Sequence, residues 1–325
     1  RKSYDDGIAG ATADIAAAAA GSASDSAVLA KTNQVLANYA GLMEAARANN
    51  RQGFPIGAAY LRQASNLLRS EALPPLAQEV SIEQARITKA YSNAARAENA
   101  LVAILVLAVV VLLLVQVWLA FKTRRLLNTN LVAATAIVIV GGIVGIGIMT
   151  LAEHSATGVR SGSLANTIAL ATARTDAFDA KSAESLTLIN RGSGQPFEAQ
   201  YQVVIGDADT ALSGVADRAP ARSSIAALAT YETAHRLIRT RDDAGDWDGA
   251  VRLATTADPR GTKTTFAAFD SVSRVSLSGE AAHVAKSLKS ARRALGVTSV
   301  LLLLAGLAAA ALSWRGVAAR LREYR

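Results

Sequence analysis

ALVAILVLAVVVLLLVQVWLAF, residues 100–121, is the stretch that decides the fold. It carries no charge and a single amide, Gln116. At about 1.5 Å of helical rise per residue it covers the roughly 30 Å hydrocarbon core of a bilayer. Further along lie two more uncharged runs, LVAATAIVIVGGIVGIGIMTLA (131–152) and ALGVTSVLLLLAGLAAAALSW (294–314). A buried core helix is the alternative for each, but uncharged runs beyond about 18 residues read as membrane spans. Trp118, Phe121 and Trp314 fall at span ends, where amphipathic rings favour the interface.

The charge around these runs orients them. Residues 122–130 carry Lys122, Arg124 and Arg125 with no acid, and residues 315–325 carry Arg315, Arg320, Arg322 and Arg325 against Glu323, so each short segment contributes +3. The long regions 1–99 and 153–293 contribute only +1 each to the net +8. The positive-inside rule puts the two short basic segments on the cytoplasmic face. We therefore expect a multi-pass plasma-membrane protein with the bulk of the chain extracytoplasmic. Lys286, Lys289, Arg292 and Arg293 crowd the outer end of the third span, but they close a long domain, where charge weighs less. Basic residues gathered at membrane edges do not make a nucleic-acid surface. With residues 1–99 outside, the expected topology includes a further span before Arg1 rather than a cleaved signal peptide.

Both outer regions read as helices separated by breakers. In the first, Asn49-Asn50 with Gly53-Phe54-Pro55, and then Leu73-Pro74-Pro75, predict helices near 3–20, 25–49, 56–72 and 76–99. In the second, Gly192-Ser193-Gly194-Gln195-Pro196, Arg218-Ala219-Pro220 and Asp258-Pro259-Arg260-Gly261 divide the chain in the same way. No stretch alternates as a strand does. The fold class is thus all-α: an integral membrane protein with two extracytoplasmic four-helix bundles, residues 1–99 and 153–293. The remainder is three spans, a cytoplasmic loop at 122–130 and a tail at 315–325.

Each bundle is expected to run into the membrane on a continuous stalk. Leu277, Ala281, Val284, Leu288, Ala291, Leu295 and Thr298 recur at steps of four and three into the third span, and Leu76, Val80, Ile87, Tyr91 and Ala94 lead into the first. Such seams are equally the pattern of ordinary bundle core. Within the spans, Gly141 and Gly145, beside Gly142 and Gly147, and Ala305 with Ala309 allow close backbone approach, within the chain or in a homodimer. No ionisable residue sits inside a span, which argues against a transporter or channel.

Little in the chain could do chemistry. There is no cysteine, and the three histidines, His154, His235 and His283, are far apart. No Gly-rich phosphate loop, GxSxG elbow or HExxH is present. Asp242, Asp243, Asp246 and Asp248 suggest a calcium loop but lack the closing glutamate, and Gly245–Gly249 is better read as a helix start with acids in its first turn. No catalytic, cofactor or metal residue is assigned, and no enzyme activity or cofactor is expected. Arginines at helix ends, Arg51, Arg62, Arg191 and Arg222, are the candidates to grip a ligand or partner carboxylate. Lys122, Arg124, Arg125, Arg315, Arg320 and Arg322 are the candidates for cytoplasmic contact. The cytoplasmic share is too small for a kinase or cyclase, so output must pass to a second protein.

The segments GFPIGAAYLRQASNLLRSEALPPL (53–76) and SLTLINRGSGQPFEAQY (185–201) resemble the actinobacterial GlnX family of four-span membrane sensor proteins. The resemblance implies two partners, the extracytoplasmic solute-binding lipoprotein GlnH and the cytosolic serine/threonine protein kinase G. It implies a relay that reports amino-acid availability inward. A direct small-molecule receptor and an envelope structural or assembly protein are the competing readings.

Overall fold

The computed structural model describes residues 2–21, 23–52, 56–123, 129–215 and 219–322, without the side chains of residues 2–3, 90–91, 94–95, 97–98, 122–123, 152–157, 159–161, 220 and 320–322. Among the described residues there are ten α-helices, two π-helical turns and no strand. The expected basic residues Arg124 and Arg125 lie outside the described residues, as do the side chains of Lys122, Arg320 and Arg322. The helices group into two compact units, Arg1–Thr88 with Ala169–Ser276 and Lys89–Ile168 with Leu277–Arg325.

The first unit begins with α1 (Lys2–Gly21), α2 (Ser26–Arg51) and α3 (Gly57–Leu67). One face of α2, Leu29, Thr32, Leu36 and Ala46, is buried at helical spacing. The tight turn between α1 and α2 is tied to α4 (Leu73–Thr123), because Arg86 grips the buried Asp25 through both guanidinium nitrogens at 2.9 and 3.0 Å.

The hairpin expected at Leu73-Pro74-Pro75 does not form. The chain passes from α3 through a π turn, Leu68–Ala72, directly into α4. Leu73 N–H donates to Leu68 O, five residues back. A proline ring ordinarily collides with the carbonyl four residues earlier. The wider turn just upstream lets Pro74 and Pro75 enter a helix at its start, where their missing N–H groups are unneeded.

The second part of this unit is a four-helix bundle of α6 (Ala165–Ile189), α7 (Gln195–Ser213), α8 (Ala219–Asp243) and the start of α10 (Thr262–Arg322), with the short α9 (Trp247–Thr255) between the last two. Each of the four carries a buried seam at steps of three and four. On α6 it is Leu170, Ala173, Ala177, Ala180 and Glu184, on α7 Tyr201, Ile205, Ala208 and Leu212. On α8 it is Ala221, Ser224, Leu228, Tyr231, His235 and Ile238, and on α10 Thr262, Phe266, Phe269 and Ser273. This is the coiled-coil-like packing of a bundle, and each large apolar side chain it buries stabilises by roughly 1.5–3 kcal/mol. The turn before α9 takes φ +83° at Gly245, and Asp246 Oδ1 then caps α9 by accepting Gly249 N–H at 2.9 Å, with Asp248 in its first turn. Gly245–Gly249 is therefore the helix start read from its sequence, while Asp242 and Asp243 end α8.

Among the described residues, the second unit holds three helices long and apolar enough to cross a membrane, within α4, α5 (Thr129–Val159) and α10. Their large apolar side chains point outward: Ile104 is 68% exposed and Leu114 63%. Water would not tolerate that surface, and lipid does. The small residues are spent within the chain. A Cβ at Gly142 would meet Leu105 of α4 at 2.3 Å, and one at Gly145 would meet Leu302 of α10 at 3.0 Å, whereas Gly147 has open space. Gln116, the one amide of the first span, donates to Thr135 Oγ1 at 2.6 Å and to Leu131 O at 3.2 Å on α5.

Both stalks form as continuous helices, since α4 and α10 each contribute residues to both units without interruption. The third connection differs. Between α5 and α6 the π turn Arg160–Leu164 contains a non-helical residue, Gly162, at φ −102° and ψ −105°. The stalk seams are not packed core. Along α10, Leu277, Val284, Ala291 and Thr298 are half-buried, but Leu288 is 51% and Leu295 45% exposed. On α4, Leu76 and Ile87 are half-buried and Val80 is exposed, while the side chains of Tyr91 and Ala94 lie outside the described residues.

Candidate functional site

Two polar assemblies stand out in the first unit. The first joins its two sequence segments. Arg62, Ser65 and Arg69 follow one another along one face of α3 and the π turn, and each reaches α6 or the residues beside it. Arg62 Nη1 donates to Asn190 Oδ1 at 3.4 Å, Ser65 and Ser182 hydroxyls lie 3.2 Å apart, and Arg69 Nε donates to Asp179 Oδ1 at 2.5 Å. Arg69 Nη1 donates to Gln200 Oε1 of α7 at 2.8 Å, and Gln200 Nε2 returns a bond to Asp179 Oδ2 at 3.3 Å. The Arg69–Asp179 pair is largely withdrawn from water, with side-chain exposures of 21% and 16%, so the two segments are pinned by a charge-assisted bond and not by a solvated surface pair. Beside it, between α2, α3 and α6, is a cavity of about 380 Å³.

The second assembly is the polar centre of the four-helix bundle. Glu184 of α6 accepts from Thr262 Oγ1 at 2.7 Å and from the Lys181 ammonium on the same oxygen. Its other oxygen lies 2.9 Å from His235 Nδ1 and 3.4 Å from the Tyr231 hydroxyl. His235 Nε2 faces Glu198 Oε1 at 3.3 Å, and the ring stacks on Tyr201 with centroids 3.5 Å apart. Arg239 closes the row, 3.5 Å from Glu198 and 2.6 Å from Asp242.

The protonation states follow from this geometry. Burial favours the neutral form of Glu184, but the bonds from His235 and Lys181 outweigh it and hold the carboxyl below its ordinary range. Burial likewise disfavours the imidazolium of His235, yet carboxylates on both ring nitrogens prevail and raise its pKa above the ordinary value. In the protonated form both ring nitrogens donate to these carboxylates. Tyr231 and Tyr201 are pushed upward, first by burial and then by Glu184, and remain neutral. Signs alternate along the row, Lys181, Glu184, His235, Glu198, Arg239, which lets a buried charge persist. Glu184 and His235 are each 1% exposed, so an outside substrate does not reach them, and the cluster orients helices.

The structure brings together two of the four expected arginines. Arg62 bonds Asn190, and the next residue, Arg191, sits at φ 20° with its guanidinium 3.6 Å from the centre of the Trp247 ring. Arg51 ends α2 and Arg222 lies in the first turn of α8, both exposed. Arg315 is exposed on α10. The residues that sequence reasoning passed over are Arg69, Asp179 and Gln200, and the Glu184–His235 core. The second had a legible signal, because Glu184 and His235 fall on the buried heptad positions of α6 and α8, where an ionisable side chain demands a partner.

Residues 1–92 match the family model of the actinobacterial sensor domain, a stretch that takes in α1, α2, α3 and the first part of α4. This similarity and the three apolar helices support a membrane protein with a sensing role. No curated protein matches the chain, and no solved structure does.

Proposed function

We propose that the chain is a non-enzymatic transmembrane relay. In this reading the first unit lies outside the cell and receives an amino-acid-loaded solute-binding lipoprotein, and the short basic loop and tail meet a cytosolic serine/threonine kinase. The carrying observation is that α4 and α10 pass from the first unit into the apolar second unit without a break. A continuous helix transmits a shift, tilt or rotation along its length because its hydrogen bonds and packed neighbours resist bending. The sensor-domain match to residues 1–92 supports the sensing half, and the resemblance of residues 53–76 and 185–201 to the GlnX family supports the partners. The test is co-purification of the full-length protein with the native lipoprotein and kinase, with and without aspartate or glutamate. Ligand-dependent association is expected, and its absence with both partners overturns the relay.

A further inference from the structure

The cavity beside Arg69 has the chemistry of a ligand site. It lies wholly within the first unit, has a volume of about 380 Å³, and is lined on its polar side by Ser65, Arg69, Asp179 and Ser182. Leu61, Phe178, Leu186 and Ile189 supply an apolar wall. This size and this mixture, mostly apolar with a few convergent polar groups, are those of small-molecule pockets.

Arg69 is incompletely used. Its Nε and Nη1 are engaged by Asp179 and Gln200, but Nη2 is buried and has no hydrogen-bond partner. A buried unpaired donor is costly, and on a guanidinium it is suited to a carboxylate oxygen. A simple anion, however, would meet a local excess of acid. Asp176 stands one turn from Asp179 on α6, and its proton is held up to about pH 6 by burial and then by Asp207 and Asp179. A ligand that brings its own positive charge avoids that repulsion, and the Asp179 carboxylate is the acceptor for an ammonium.

We infer that this cavity binds a zwitterionic α-amino acid with an apolar side chain, its carboxylate on Arg69, its ammonium on Asp179 and its side chain against Leu61, Phe178 and Leu186. The site joins residues of both sequence segments, so a ligand there tightens the contact between them. It stands apart from the relay reading, because it requires no partner protein.

The test uses the full chain in detergent, with thermal unfolding and calorimetry in the presence of L-leucine or L-phenylalanine. A rise in Tm of about 5–10 °C at a hundredfold excess over Kd is expected. 4-Methylpentanoate, which lacks the ammonium, and 3-methylbutylamine, which lacks the carboxylate, should give little or none. Arg69→Lys, which keeps the charge but loses the planar fork, and Ser182→Phe, which fills the cavity from α6, should each abolish the rise. Should Arg69→Lys fail to fold, Ser182→Phe decides. No rise with either amino acid, an equal rise with 4-methylpentanoate, or a rise that survives Ser182→Phe overturns the inference. Failure of the lipoprotein to associate would leave these results untouched, so the two readings fail separately.

Discussion

Replacing Glu184 by leucine leaves the His235 imidazolium and the Lys181 ammonium without their shared counter-charge, inside a bundle where Glu184 and His235 are each 1% exposed. Removing one partner of a buried pair costs about 3–5 kcal/mol. For a folded unit of this size, at about 2–4 °C per kcal/mol, Tm should fall by roughly 6–20 °C. The pH dependence carries the sign. Glu184 has a lowered pKa, so its contribution is complete above the unfolded carboxyl value of 4.5 and is lost as pH falls through the lowered one. His235 has a raised pKa, so its contribution is complete below 6.5 and is lost as pH rises through the raised one. The gap between wild type and Glu184→Leu should therefore be widest between pH 4.5 and 6.5 and shrink on either side. Thermal unfolding in detergent, followed by fluorescence with Trp118 and Trp314 replaced by phenylalanine so that the signal is that of Trp247, whose indole donates to Leu188 O, reads this. The double variant Glu184→Leu/His235→Leu should recover part of the loss, with a coupling of roughly 1–3 kcal/mol. A Glu184→Leu loss below about 1 kcal/mol throughout pH 5–8, or strict additivity with His235→Leu, would refute the charged-core assignment.

Asp176→Asn should stabilise the chain at pH 7.5 and progressively less toward pH 4, because a carboxyl held up to about 6 loses stability as pH rises through that value and asparagine does not; Tm at the two pH values checks it. Gly142→Ala should lower Tm, since its Cβ would stand 2.3 Å from Leu105, while Gly147→Ala, with nothing within 4 Å, should not. Gln116→Leu removes the bond to Thr135 between α4 and α5, and unfolding from mixed micelles should register a loss on the order of 0.6–1.7 kcal/mol. Because the chain has no native cysteine, Arg124→Cys and Ser193→Cys can be probed cleanly with an impermeant maleimide. Ser193→Cys should label on intact cells and Arg124→Cys only on inverted vesicles, and the opposite pattern contradicts the topology.

The spans were legible because hydrocarbon imposes a one-dimensional rule: some twenty uncharged residues in a row suffice. The turn at Gly192–Pro196 and the start of α9 were legible because glycine, proline and aspartate act locally there. Pro74-Pro75 misled for the opposite reason, since the element that accommodates them, the π turn at Leu68–Ala72, is set by backbone hydrogen bonding that no residue type announces. The joint at Arg69 was hidden by distance in sequence. Asp179 lies more than a hundred residues away, beyond two apolar spans, and nothing in either segment names the other. Arginines at helix ends looked available because they are exposed, whereas Arg69, with a buried donor left unpaired, is inside a turn of helix.

Helix α1 presents only a shallow stripe, Tyr4, Ile8, Ala11, Ile15 and Ala19, each half-buried, and most of the side chains between them are alanine. Alanine is the best helix former and the poorest anchor, offering almost no area to bury. Such a helix has little buried surface to hold it to its neighbours, and a helix of this length on its own is marginal in water. Its amides should exchange with deuterium sooner than those of α8, whose buried stripe includes Leu228, Tyr231 and Ile238, and the amino-terminal twenty residues would then be the first part of the sensor-like region to lift away and the last to settle.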